Sequence, residues 1–121
     1  MKKKLSKEQR HVCFEKGTEK PFTGKFLYNK RKGIYVCVVC GNKLFSSETK
    51  FESGTGWPSF FDVINKNAVS FEADYSNFMY RIEVKCAKCK AHLGHVFDDG
   101  PEPTRKRYCI NSISLDFIPK K

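Results

Sequence analysis

Two Cys-x-x-Cys pairs, Cys37-Val38-Val39-Cys40 and Cys86-Ala87-Lys88-Cys89, stand 45 residues apart in this sequence of 121. No other feature restricts the fold as strongly. Two intervening residues let a tight turn aim both sulfurs of a pair at one ion. Two such pairs complete a tetrahedral all-cysteine site of the kind that holds zinc. The separation is larger than in a single small finger, so one ion would tie two distant hairpins together. Four protein ligands leave no position open for substrate, which makes the site structural. The alternative is a set of four core thiols without metal.

The length fits one domain, 1–121, with an adequate core that a metal staple would help. Of six cysteines, four lie in the pairs, leaving Cys13 and Cys109. That usage points to metal and catalysis in a reducing compartment more than to disulfides. There is no run of eighteen apolar residues, and Leu5-Ser6-Lys7-Glu8-Gln9-Arg10 is not an apolar signal region. The expectation is a cytoplasmic protein without a membrane span. The net charge is +10, and residues 2–32 carry eleven Lys/Arg against three Glu. Such a basic segment can attract nucleic acid or acidic partners, although a solvated, solubilising face explains it more simply.

Ser6-Lys7-Glu8-Gln9 is a capping box and predicts a short helix from about Lys7 to Lys16, stopped by Gly17. Residues 18–29 contain Pro21 and Gly24 and read as an irregular connector. Its Phe22, Phe26, Leu27 and Tyr28 suggest that it lies against a core. Ile34 to Val39 is rich in β-branched residues and reads as a strand entering the first cysteine pair, with Leu44-Phe45 returning. Residues 46–50 form a polar turn or a single helical turn. Ser53-Gly54-Thr55-Gly56-Trp57-Pro58 is a glycine-rich loop carrying the only tryptophan, either a pocket wall or a buried anchor. Residues 69–76 and 79–86 alternate with period two, which predicts two half-buried strands joined at Ser76-Asn77. Residues 98–104 are a loop, and residues 107–117 read as one last strand with Arg107, Cys109, Asn111, Ile113, Leu115 and Phe117 on one face.

Cys109 is the candidate nucleophile. An unperturbed thiol titrates near ~8.5, so a neighbouring Arg107 or histidine would be needed to favour thiolate. The competing role is a buried structural cysteine. Asn111 could donate to a polarised oxygen. His92 and His95 flank Gly94 just past the second pair. They could be core histidines or extra ligands, but with the tetrahedron already full they fit a site of their own.

Three stretches, Ser53-Gly54-Thr55-Gly56-Trp57-Pro58-Ser59-Phe60, Ala91-His92-Leu93-Gly94-His95-Val96-Phe97-Asp98-Asp99-Gly100 and Arg107-Tyr108-Cys109-Ile110-Asn111-Ser112, together resemble the B-type methionine sulfoxide reductases. Gly17-Thr18-Glu19 with Pro21-Phe22-Thr23-Gly24 resembles that family's N-terminal signature, so the likeness runs in order over nearly the whole chain. It implies a mainly β fold of two antiparallel sheets packed as an open barrel, stapled by one structural Zn2+. It implies thiol-dependent reduction of methionine-R-sulfoxide, protein-bound or free, through a Cys109 sulfenic acid. His92, His95 and Asn111 would orient the reacting groups and help to protonate oxygen, and Arg107 would support the thiolate. Trp57 and Phe97 would contact substrate. Implied partners are oxidised proteins and a reductant, thioredoxin or a small thiol. A monomer without nucleic acid is expected.

One departure stands out: Thr55 occupies the place where many members of that family carry a resolving cysteine. Cys13 is the remaining candidate for that task, and direct reduction by an external thiol is the other route. A different class, a non-catalytic zinc module contacting nucleic acid or protein, would use the cysteines and the basic segment but leave Trp57, both histidines and Asn111 without roles.

Overall fold

A computed structural model describes residues 5–120; Lys2, Lys3 and Lys4 of the basic segment lie outside the described residues. The chain forms α1 (Lys7–Glu15), then β1 (Gly33–Cys37), β2 (Lys43–Ser46), β3 (Lys50–Phe51), β4 (Ser59–Phe60) and β5 (Val69–Asp74). It continues with β6 (Arg81–Cys86), β7 (His92–Phe97), β8 (Arg107–Ile110) and β9 (Leu115–Pro119). The strands make two antiparallel sheets, as expected, in the orders β2-β1-β9 and β3-β4-β8-β7-β6-β5.

The capping box forms. Gln9 N–H donates to Ser6 Oγ at 3.1 Å and Ser6 N–H to Gln9 Oε1 at 2.8 Å. The helix ends one residue early, because Lys16 itself turns left-handed at φ 57° and sends its N–H back to the His11 carbonyl. Val12 and Cys13 face inward.

The core lies between the sheets. Phe45 of β2 stacks on Phe60 of β4 with centroids 4.3 Å apart, and Tyr35 of β1 meets Phe60 edge-on at 5.1 Å. Leu44, Val84, Leu93 and Ile110 complete it. Of the connector's four large apolar residues only Phe26 is buried, while Phe22 and Tyr28 stand in solvent. Part of the expected packing of that segment is therefore absent.

Three further expectations are corrected. Residues 107–117 are not one strand. The chain leaves the large sheet after Ile110, makes a 3-10 turn over Ser112–Ser114 and enters the small sheet as β9. Asn111 N–H bonds to the Leu93 carbonyl at 2.9 Å and Ser114 N–H to the Asn111 carbonyl at 3.1 Å, so the corner satisfies its own backbone. β5 does not bury its apolar face: Phe71 is half exposed, whereas Val69 and Asp74 at its ends are buried. β5 is an edge strand, and the Phe71 ring at its middle meets Tyr108 with centroids 6.4 Å apart while leaving half its surface in solvent. On β6 both Glu83 and Val84 are buried, because α1 packs on the neighbouring β7 and Lys16 at the helix end reaches Glu83 at 3.1 Å on the face that alternation assigns to water.

Phe60→Ala is expected to cost about 3–5 kcal/mol in urea denaturation, since it empties a site touched by both sheets. Phe71→Ala, on the same type of residue in a strand, is expected to cost under about 1 kcal/mol.

Candidate active site and metal cluster

The two cysteine pairs meet. Their four sulfurs all lie within 4.8 Å of one another, with Cys37 to Cys89 and Cys40 to Cys86 each at 3.6 Å. A tetrahedron with metal–sulfur bonds of about 2.3 Å has sulfur–sulfur edges of about 3.8 Å, so the donor set fits a soft dication such as zinc. Each pair is a matched turn. Gly41 N–H returns to the Cys37 carbonyl at 2.8 Å and Lys90 N–H to the Cys86 carbonyl at 2.9 Å, with Gly41 and Lys90 both left-handed. Neighbouring thiols, Cys37 first, draw Cys86 down to about 4. Asn42 Nδ2 adds a contact to Cys86 Sγ at 3.7 Å while donating to the Ala68 carbonyl at 3.0 Å.

A second site lies where the loop before β4 faces β7 and β8. Its pocket of about 250 Å³ is lined by Trp57, His95, Phe97, Arg107, Cys109 and Asn111, all singled out from sequence. Register explains how they converge. Cys109 pairs with Ser59 on one side and His95 on the other, and Phe97 pairs with Arg107. Gly94 is needed between them, because a Cβ there would collide with the Cys109 carbonyl.

Each side chain is held by something specific. Arg107 donates to Asp99 through Nε at 2.8 Å and Nη2 at 3.1 Å, and its guanidinium lies over the Phe97 ring at 4.4 Å. Trp57 Nε1–H donates to the Glu19 carbonyl at 3.0 Å. The Asn111 amide is largely committed: Oδ1 accepts from Glu19 N–H at 3.0 Å and Nδ2 donates to the Leu93 carbonyl at 3.0 Å. His95 Nε2 sits 2.7 Å from Asp74 Oδ2, which holds the Asp74 carboxyl far below the usual range.

His92 does not line the pocket. It is buried behind His95, with ring centroids 5.5 Å apart. Its Nδ1 is 2.7 Å from Glu83 Oε2, and Glu83 Oε1 meets Lys16 Nζ at 3.1 Å. Burial pushes the His92 imidazole toward its neutral form, partly opposed by Glu83. A neutral ring facing an acceptor carries its proton on Nδ1, leaving Nε2 bare, and that nitrogen has no protein partner among the described residues.

Burial raises the Cys109 thiol above the ordinary value, opposed first by the Arg107 charge and then by a hydrogen bond with Thr55. The resting sulfur is thus a thiol beside a fixed cation. Thr55 belongs to a hydroxyl chain in which Ser53 Oγ lies 2.7 Å from both Thr55 Oγ1 and Ser59 Oγ. Cys13 lies elsewhere, in the core, with its sulfur 3.8 Å from Ser114 Oγ.

Several residues of the site escaped sequence reasoning. Thr18 and Arg81 line the pocket, while Asp74, Glu83 and Glu19 hold its residues from behind. Asp74 and Glu83 sit on polar faces of period-two strands, where the default partner is water. Their partners on β7, His95 and His92, say otherwise.

Iodoacetamide should alkylate Cys109 more slowly than a model thiol at pH 7, with an apparent pKa above the ordinary value. Arg107→Met removes the chief opposing charge and should raise that pKa further, read from the pH profile of alkylation followed by mass spectrometry.

A family model described as the SelR domain matches residues 5–119. The peptide methionine sulfoxide reductase MsrB of Methanosarcina barkeri is 64% identical over 116 residues, 96% of this chain and 82% of that protein. Its counterpart in Methanosarcina mazei is 64% identical over 117 residues, 97% and 84% of the two chains. The mitochondrial methionine-R-sulfoxide reductase B3 of Mus musculus is 58% identical over 119 residues, 98% of this chain and 47% of that one. With its cysteine cluster and thiol pocket in place, the chain belongs to the SelR-domain family, the B-type methionine sulfoxide reductases.

Proposed function

We propose that the protein is an oxidoreductase that reduces methionine-R-sulfoxide in oxidised proteins to methionine, with Cys109 as nucleophile. The observation that carries this reading is a single non-cluster thiol in a pocket that also presents an indole, an imidazole, an amide and a fixed guanidinium. The names of the relatives at 58–64% identity supply the substrate and its epimer.

The substrate's S-methyl packs against Trp57 and Phe97, and the sulfoxide sulfur approaches Cys109. Arg107 and the Thr55 hydroxyl offset the burial that keeps the thiol protonated. As the Cys109 sulfur donates its electron pair to the sulfoxide sulfur, the S–O oxygen gains negative charge and takes a proton. The His95–Asp74 pair and the Asn111 amide orient that oxygen and supply the proton, while the buried His92–Glu83 pair holds the His95 ring from behind. The substrate S–O bond breaks and the oxygen passes with one proton to the Cys109 sulfur in place of the thiol hydrogen, so methionine leaves two electrons richer and Cys109 is left as a sulfenic acid. Two thiol equivalents then return it to the thiol, releasing water.

The family's usual resolving cysteine is replaced by Thr55, whose side chain bonds to Cys109. Cys13 could serve only by leaving the core, where burial raises its thiol. Direct reduction by thioredoxin or a small thiol therefore suits this chain best. Cys37, Cys40, Cys86 and Cys89 would hold Zn2+, which supplies structure and no redox chemistry. A monomer in the cytoplasm belongs to this reading, since cysteine usage of this kind suits a reducing compartment; among the described residues no helix is long and apolar enough to cross a membrane. The zinc module that binds nucleic acid is not favoured, since it leaves the pocket unexplained.

With dithiothreitol and a peptide carrying the R-sulfoxide, the protein should remove one oxygen per turnover. Cys109→Ser should abolish this, and Cys13→Ser should keep most of it. After one turnover without reductant, mass spectrometry should find a dimedone adduct on Cys109; a Cys13–Cys109 bridge would instead make Cys13 the resolving thiol. Native mass spectrometry should find one zinc per chain, and Cys40→Ser should lose it and unfold at a lower temperature.

A further inference from the structure

His92 and His95 are three residues apart on β7, yet their rings meet with centroids 5.5 Å apart. The β6–β7 register slips between Val84 and Lys85, and that irregularity brings both rings to one face of the sheet. Each ring has its own buried acid at 2.7 Å, Glu83 for His92 and Asp74 for His95. The two pairs differ in what stands behind the acid. Asp74 accepts the Ser76 N–H at 2.9 Å and has the pocket residue Arg81 at 3.6 Å. Glu83 is reached from outside the pocket, by Lys16 Nζ at 3.1 Å. Half of the Lys16 side chain is in solvent while the Glu83 side chain is fully buried, so this one ion pair joins the buried pair to the surface.

Lys16 holds an uncommon place in the backbone. It ends α1 in the left-handed conformation, at φ 57°. Glycine is preferred there, and a glycine, Gly17, is the next residue in the chain. A lysine is thus kept where its backbone costs free energy, and strain of this kind gathers at functional positions.

The charges around His92 account for it. Lys85 of β6 pairs with Glu72 of β5 at 3.5 Å, and Lys16 pairs with Glu83, so these four charges cancel. Burial disfavours the His92 imidazolium; Glu83 opposes burial, whereas positive charge on His95 or Lys16 acts with it. The neutral ring keeps its proton on Nδ1, toward Glu83, and Nε2 stays bare. Without the Lys16 charge, Glu83 is a buried carboxylate lacking its cation, which is strongly unfavourable. His92 is the base in contact with it, and Nε2 is the atom left to take a proton. The resulting charge would stand beside the His95 ring, which lines the pocket, and oppose a proton there.

We propose that Lys16 is a positioning residue for the reduction: acting through Glu83, it keeps His92 uncharged with Nε2 as an acceptor, so that His95 carries the proton delivered to the sulfoxide oxygen. The inference rests on the proposed reductase activity and adds to it a residue that lies outside the pocket.

Three substitutions in the full chain separate charge from backbone. Lys16→Arg keeps the cation, Lys16→Met removes it, and Lys16→Gly removes it while relieving the left-handed backbone. In nitrogen-15 spectra of histidine-labelled protein, wild type and Lys16→Arg should show His92 with one protonated and one bare ring nitrogen at neutral pH. Lys16→Met and Lys16→Gly should both show the second nitrogen protonated up to a higher pH than in wild type. The single-turnover rate on an R-sulfoxide peptide should change in parallel. Its fall toward acid should begin at higher pH in the Met and Gly variants, with the rate at pH 6 about tenfold lower, and Lys16→Arg should restore it. A His92 spectrum unchanged by Lys16→Met and Lys16→Gly would overturn the proposal. So would opposite effects of Met and Gly on the rate, the pattern expected of a helix cap alone. A moved spectrum with an unmoved pH profile would overturn the part given to His95. A moved spectrum in a protein that reduces no sulfoxide would uphold the hold of Lys16 on His92 and remove the reductase reading instead.

Discussion

The sulfur cluster is the interaction on which the arrangement depends. Cys37 ends β1 in the small sheet and Cys86 ends β6 in the large one, so the four sulfurs join the sheets at one edge. Packing of Phe45, Phe60 and Tyr35 joins them at the centre. A core of this modest size gains from a tie that the unfolded chain cannot make. β6 then carries that anchor to the pocket, because the strand that begins at Arg81 ends at Cys86.

Buried acids do the second part of the work. Glu83 and Asp74 sit behind His92 and His95 at 2.7 Å, and Glu19 ties Trp57 and Asn111 through its own backbone while its Oε1 accepts the Ile113 N–H at 2.9 Å. A buried carboxylate is costly unless hydrogen-bonded, so each of these groups narrows the positions its partner can take. The cost is offset by an orientation that an exposed acid could not enforce. Cys109 shows the same balance from the other side, with burial raising its pKa and Arg107 and Thr55 opposing it.

Much of the fold was legible because its signals are local. The capping box, the β-branched run into Cys37, the cysteine spacing and the period-two stretches each act over a few residues. The resemblance carried by the Trp57, His95 and Cys109 stretches named the family before any geometry. The errors arose where a third element decides. One continuous strand over 107–117 satisfies alternation as well as two strands and a corner do. The corner exists because Asn111 and Ser112–Ser114 find backbone partners that the linear pattern cannot reveal. Solvent for Glu83 was the natural expectation until α1 is seen to cover that face.

The amino-acid order by itself determined the two sulfur pairs, the helix cap, the strand periods and the two thiols left outside the cluster, since each follows from spacing and side-chain chemistry. Tertiary structure decided which acid stands behind each imidazole, that Thr55 lies beside Cys109, and that Cys13 lies in the core. Those outcomes depend on strand register and on what covers each sheet face, and both are set by contacts between residues far apart in the chain.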